Sequence, residues 1–321
     1  MLVRSLALIA GFTFAVTATA APKVVAVTSF GEHPALQEVI DGMKASMAER
    51  GYKEGTDISF PFTHVNWERN LIPQMLTKVA AGKPDVIVTI TTPVTQTAVR
   101  AIGDSGIPIV FSAVQDPVVA GVIPDWNTPT KTMTGVSNLV DMDGTLKFIK
   151  TLLPNAKRLG LPFNPGDDAD NALRKRLIEF APKHGIELVT VAVDNTNDLP
   201  QRLQTFAGKV DALYVIPSNL FQPVTSQIAA LTAQMKIPTF NGLPAPVMKK
   251  EMLGSYSVNW KKIGANTAGI VEKILKGAKV SDIRPSVPTP ADHASVISKS
   301  QLEKLGLTLP ASLANCNCLV D

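Results

Sequence analysis

Serine, threonine and asparagine recur in this sequence wherever a short apolar run ends. Thr91-Thr92 follow one such run, Ser112 and Asp116 another, then Asn164, Ser218-Asn219, Asn241-Gly242 and Asn259-Trp260, with Phe30 after the first of all. Hydroxyls and amides donate and accept hydrogen bonds without carrying charge. Such a set suits an uncharged or zwitterionic small molecule, and it is thin for catalysis. None of the four histidines (His33, His64, His184, His293) lies in H-x-x-x-H or H-E-x-x-H. There is no G-x-S-x-G, no G-x-x-x-x-G-K-[ST], and no G-x-G-x-x-G after the first strand. The residues point to a binding protein that is not an enzyme and uses no cofactor or metal.

Each candidate also has a plainer reading. Thr91-Thr92-Pro93 brings two hydroxyls and the free N–H groups of a helix N-terminus, which favour a carboxylate. A Thr-Pro pair equally caps a helix in any protein. Asp116, before Pro117, suits an Asx turn as well as a ligand. Phe30 and Trp260 could wall a flat ring or simply fill a core, and Trp67 is a weaker candidate of that kind. Cys316 and Cys318, the two cysteines of the chain, build no disulfide framework, and two thiols alone cannot complete a tetrahedral zinc site. A local bridge, a soft-metal pair and a loose tail stay open, the loose tail being favoured.

The elements that must position these residues alternate strand and helix. Strands are expected at 24–28, 57–62, 85–90 and 107–111, with helices over 34–50, 70–81 and 93–102. The rhythm restarts with a helix over 143–153, strands at 158–163, 187–193, 211–216 and 237–240, and helices over 169–184, 199–207 and 221–235. A further strand at 254–258 and a helix over 259–275 follow. The strands are continuous apolar runs, as a parallel sheet covered on both faces requires. In such sheets ligands bind beyond the carboxyl ends of the strands, which is where the polar residues stand. The Pro-rich tail from Val280 reads as an extended segment wrapping the lobes.

Length and composition agree with two lobes: 321 residues, 45% hydrophobic and 18% charged. The net charge of +4 is scattered, with no basic stripe for nucleic acid. Residues 1–20 read as a signal peptide: Arg4, an apolar run from Leu6 to Val16, then Ala18-Thr19-Ala20. That run is too short to span a bilayer. Export to a Gram-negative periplasm is the expectation.

Several junctions carry a family pattern. Phe30-Gly31-Glu32-His33-Pro34-Ala35-Leu36, Thr92-Pro93-Val94-Thr95-Gln96 and Ile109 to Pro117 come in order, followed by Thr134-Gly135-Val136-Ser137-Asn138, Phe163-Asn164-Pro165 and Gly208 to Ala212. Lys236-Ile237-Pro238 and Ile274 to Gly277 complete the set. The mature chain resembles the periplasmic substrate-binding proteins of ABC transporters, in the group named for tryptophan and tyrosine uptake. The resemblance implies a type I periplasmic-binding fold: two Rossmann-like, doubly wound parallel-sheet lobes joined by three crossovers. It places 21–138 and 242–280 in lobe 1, and 139–241 and 281–321 in lobe 2. It also implies a monomer that closes on an aromatic amino acid or related aromatic or carboxylate solute. That solute would pass to an inner-membrane ABC permease with its ATPase, a signalling receptor at the membrane being the alternative. Members of the group carry acids where this chain has Asn219, Asn241-Gly242 and Asn259. A buried ammonium needs a counter-charge, so these amides weaken the amino-acid reading and leave Asp116 and Glu32 to supply it.

Overall fold

The β-branched runs form the centres of two separate sheets. The computed structural model describes residues 21–128 and 130–321, so the expected signal peptide lies outside the described residues. The first sheet contains β1 (Lys23–Ser29), β2 (Ile58–Ser59), β3 (Phe62–His64), β4 (Val86–Ile90), β5 (Ile109–Val114) and β6 (Met133–Ser137). Its strands are parallel in the order β2-β1-β4-β5-β6, with β3 also on β1. Three helices connect them: α1 (Pro34–Glu49), α2 (Ile72–Ala81) and α3 (Thr92–Ala101). The expected 57–62 strand is two short pieces, because Pro61 has no N–H to continue a ladder.

The chain then builds the second lobe from α4 (Met142–Leu152), β7 (Arg158–Phe163), α5 (Asp168–Phe180), β8 (Glu187–Ala192) and α6 (Leu199–Gln204). It continues through β9 (Ala212–Val215), α7 (Thr225–Gln234), β10 (Thr239–Asn241), α8 (Ala245–Met248) and β11 (Gly254–Val258). Helix α9 (Trp260–Leu275) returns to the first lobe, and β12 (His293–Ser298), α10 (Lys299–Lys304) and β13 (Leu319–Val320) finish the second. The second sheet runs β13-β12-β11-β10-β9-β7-β8.

Both lobes are three-layered. Val25, Val27, Val88 and Val110 face a cluster with α1 and α9, while Ile87, Ile109 and Phe111 face α2 and α3. In the second lobe Leu159, Leu161 and Tyr214 pack toward α4, α5 and α10, and Leu213 and Val215 toward α6, α7 and α8. Each such side chain stabilises the fold by about 1.5–3 kcal/mol relative to exposure. Helix α9 sits so close to α1 that a Cβ on Gly264 would collide with the Val39 carbonyl.

Three expectations are corrected here. Strand β11 is hydrogen-bonded to β10 and β12, so residues 242–258 go with the second sheet, and only α9 and the segment through Ile283 pack with the first. The tail is no wrapping strap: β12 is antiparallel to β11, which makes the sheet mixed, and β13 pairs with β12. Nor is its end loose. Cys316 and Cys318 are joined as a disulfide, and Cys318 is buried in the core against Ile297 and Leu302.

Among the described residues the chain passes between lobes three times, at 138–141, at Asn259, and at 283–292. The three passages are tied together. Asn259 N donates to Asp292 O (2.8 Å), Asp141 N donates to His293 Nε2 (3.1 Å), and Tyr256 donates its hydroxyl to Asp141 Oδ2 (3.3 Å).

Candidate functional site

The cavity between the lobes is walled by strand ends and helix starts from both. The first lobe contributes His33 and Leu36 of the β1–α1 junction, Trp67, Thr91 and Thr92 of the β4–α3 junction, Gln115 after β5, and Asn138 after β6. Trp260 enters from the first turn of α9. The second lobe contributes Ala169, Pro217, Ser218, Asn219, Gln222 and Leu243. About 490 Å³ of space inside it is free of protein atoms, counted out to its open mouth.

Ten buried side-chain polar atoms among the described residues have no hydrogen-bond partner, and five belong to residues of this one cavity. They are Thr91 Oγ1, Gln115 Nε2, Asn138 Oδ1, Gln222 Oε1 and Trp260 Nε1. An orphaned buried polar atom costs about 1–3 kcal/mol, so such atoms are normally rare and dispersed. Gathered around a cleft, they form a set of donors and acceptors awaiting a polar small molecule.

Local backbone explains how they gather. Thr91 stands at φ 82°, ψ 152°, a region nearly exclusive to glycine, and occupies the N-cap of α3 without a side-chain cap bond. The threonine pair therefore does not serve as an ordinary cap: the first turn of α3 keeps its free N–H groups and its positive dipole end. In β5 the register slips between Ser112 and Val114, and Ala113 takes φ 53°. This bulge inverts the side-chain alternation. Ser112 consequently turns away from the cavity and shares a hydrogen bond with Thr267 of α9 (2.8 Å), whereas Gln115 lines it. Trp67 follows Asn66, and both have positive φ. Its indole covers Gly31 so closely that any Cβ there would enter the ring, and it meets Phe30 edge-on at 5.4 Å.

Of the residues expected at the site, Thr91, Thr92, Ser218, Asn219 and Trp260 line the cavity. Seven do not. Phe30 is core packing behind Trp67. Ser112 is held by α9, as above. Asp116 accepts from the N–H groups of Val118 and Val119 (3.1 Å each), an Asx turn. Asn164 likewise accepts from Gly166 N (2.9 Å). Asn241 is fully buried behind the wall and bonds Leu243 N and Gln222 Nε2, positioning Gln222. Gly242 packs on Pro217, where a Cβ would collide. Asn259 is exposed and caps α9 through Lys262 N (3.0 Å).

The counter-charges also differ from expectation. Glu32 is exposed beside His64 (3.5 Å), and Asp116 is spent on its turn. The buried carboxyls are Asp167 and Asp170 at the start of α5. Asp167 accepts from Ala169 N (2.8 Å) and from Asn219 Nδ2 (2.9 Å). Asp170 accepts from Asn164 N (2.7 Å) and Ser218 Oγ (2.8 Å), and its Oδ1 is unpartnered. Burial, and then the charge on Asp167, push the Asp170 carboxyl well above the usual carboxylate range. His33 moves the other way, lowered to about 4 by burial and then by Lys249. Its Nδ1 accepts from Ala35 N (3.2 Å) at the N-cap of α1, so the neutral ring carries its proton on Nε2.

Gln115, Asn138, Gln222, His33, Asp167 and Asp170 lay beyond the sequence reading. Only His33, Gln115 and Asn138 had a signal, as members of the quoted family motifs. Among the described residues no group of three or more His, Cys, Asp or Glu side chains could hold a metal ion.

Comparison with known proteins identifies the family and the fold. The family described as ABC transporter substrate binding protein matches residues 24–317. A tyrosine-binding protein of Clostridioides difficile (strain R20291) is 28% identical over 288 residues, 89% of this chain and 81% of that protein. The crystal structure of an ABC domain in complex with L-Trp from Streptococcus pneumoniae is 26% identical, covers 94% of this chain and 100% of its own, and superposes with a TM-score of 0.87. A ligand-free, open structure of a substrate-binding protein from Clostridium difficile is more similar in sequence, at 29%, over 93% of this chain and 99% of its own, yet superposes less well, at 0.73.

Proposed function

The chain belongs to the ABC transporter substrate-binding protein family, and from that premise we propose that it captures a free aromatic amino acid between its lobes and delivers it to an inner-membrane permease with its ATPase. Proteins of this family bind solutes outside the cytoplasm, and no described helix is long and apolar enough to cross a membrane. Release of residues 1–20 by signal peptidase and a monomer in the periplasm complete the reading.

The observation that carries it is the ring of unpartnered polar atoms between aromatic walls. Thr91, the Gln115 amide, the Trp260 indole N–H and the open start of α3 offer donors, which suit a carboxylate. Asn138 Oδ1 and Gln222 Oε1 offer acceptors, with the Asp167 carboxyl behind Asn219, which suit an ammonium. Trp67 and Trp260 supply flat apolar surface for a ring. The three amides in place of acids do not leave the cleft without negative charge nearby, since Asp167, behind Asn219, carries it on another loop.

Calorimetric titration tests the reading. L-tryptophan, L-tyrosine or L-phenylalanine should bind one per chain, and indole-3-propionate, which lacks the ammonium, should bind at least tenfold more weakly. Asn138→Ala and Gln222→Ala should each weaken amino-acid binding about tenfold, the loss of one buried hydrogen bond to a charged group. Binding of an uncharged solute with no response to any aromatic amino acid would overturn it.

A further inference from the structure

Two polar contacts join the lobes outside the cavity wall. Gln96 of α3 donates one Nε2 hydrogen to Ala120 O inside its own lobe (2.9 Å) and the other to Asp168 Oδ2 on the second lobe (2.7 Å). The first bond orients the amide so that the second can form without further ordering of the side chain. Arg69, in the 3-10 turn Arg69–Leu71, places Nη2 3.7 Å from Asp167 Oδ2. The two acceptors are adjacent, Asp167 as N-cap of α5 and Asp168 in its first turn. Among the described residues the Asp168 side chain accepts no other hydrogen bond.

We propose that Arg69 and Gln96 are positioning residues that latch the closed form onto Asp167-Asp168 and set how long a ligand is retained, without touching it. The choice of probe rests on the aromatic amino-acid reading above; the latch itself does not. Both side chains belong to the first lobe and meet one short segment of the second, so the contacts exist only when the lobes are together. The Asp167 oxygen that Arg69 approaches is the same one that holds Asn219, a wall residue. Closure therefore brings a cation to the carboxylate that orients part of the wall. Arg69 is half exposed, so its contribution is screened by salt, whereas that of the short Gln96 bond is not.

Stopped-flow tryptophan fluorescence with L-tyrosine as probe tests this. Arg69→Ala/Gln96→Ala should release L-tyrosine about tenfold faster with the association rate unchanged, and each single variant about threefold faster. Raising sodium chloride to 1 M should speed release from the wild type and from Arg69→Lys, but not from Arg69→Ala. A packing role for Arg69 would leave no such salt dependence. Unchanged release in the double variant overturns the latch. Should no aromatic amino acid bind the wild type, the ligand assignment falls but the latch is still decided by small-angle scattering of the unliganded proteins. The wild type should then be more compact than the double variant, and identical profiles would overturn it.

Discussion

Thr91 holds a backbone conformation that β-branched residues avoid, at a cost of about 1–3 kcal/mol, while keeping a buried hydroxyl unpartnered. Both penalties fall on the same side chain, and both are removed by glycine. Thr91→Gly should leave the unliganded protein as stable as the wild type or up to about 1 kcal/mol more stable by urea unfolding, relief of strain being offset by glycine's entropy. Its affinity for an aromatic amino acid should nonetheless drop about tenfold. His33 makes a second residue-scale prediction. Its folded pKa of about 4 lies below the ordinary 6.5, so between these values the unfolded chain binds the proton that the folded chain refuses. The imidazole's contribution to stability is complete above pH 6.5 and is lost as pH falls toward 4. Asp170 has the opposite sign, since its raised pKa favours the folded state at low pH and loses that advantage as pH rises above 3.8. His33→Asn keeps an N-cap acceptor for α1 and leaves Asp170 untouched. Unfolding at pH 7 and pH 4.5 should show the variant losing less stability on acidification than the wild type.

At the scale of elements, α1 and α9 cross with their backbones nearly touching, and glycine at 264 is what permits it. Gly264→Ala should destabilise the first lobe by about 3 kcal/mol, because the obstacle is the Val39 carbonyl, which cannot rotate aside. Urea melts with and without the substitution measure this directly. The same scale shows what was legible beforehand. The strands at 85–90 and 107–111 were readable as buried and parallel because both faces are covered, though β5 runs on to Val114, and Thr91-Thr92 and Ser218-Asn219 followed as residues just past strand ends. Ser112 and Gln115 exchanged roles because a single bulged residue, Ala113, reverses which side chains face the cleft, and nothing in alternating polarity marks an alanine as bulged. Asp116, Asn164 and Asn259 are short polar residues at loops, where an Asx turn, a helix cap and a ligand contact all look alike in one dimension.

At the scale of the whole molecule, the two-lobed architecture was legible from the βα rhythm and the family motifs, but the point where the chain changes lobe was not. Strand β11 is as short and mixed in polarity as its neighbours, so its composition marks a strand without saying in which sheet. The position of β12 and β13 was hidden for a related reason. A Pro-rich approach through Pro285, Pro288 and Pro290 looks like a strap until His293–Ser298 pairs antiparallel to β11.

The three passages between lobes also impose an order in time. The first sheet's inner face is covered only when α9 arrives, some 120 residues after β6 (from Ser137 to Trp260), and the second sheet's edge only when Leu319–Val320 docks. A chain emerging from its N-terminus can therefore complete neither lobe early, however well its first half is made. The elements that complete the two lobes, α9 and β13, lie within a few dozen residues of each other.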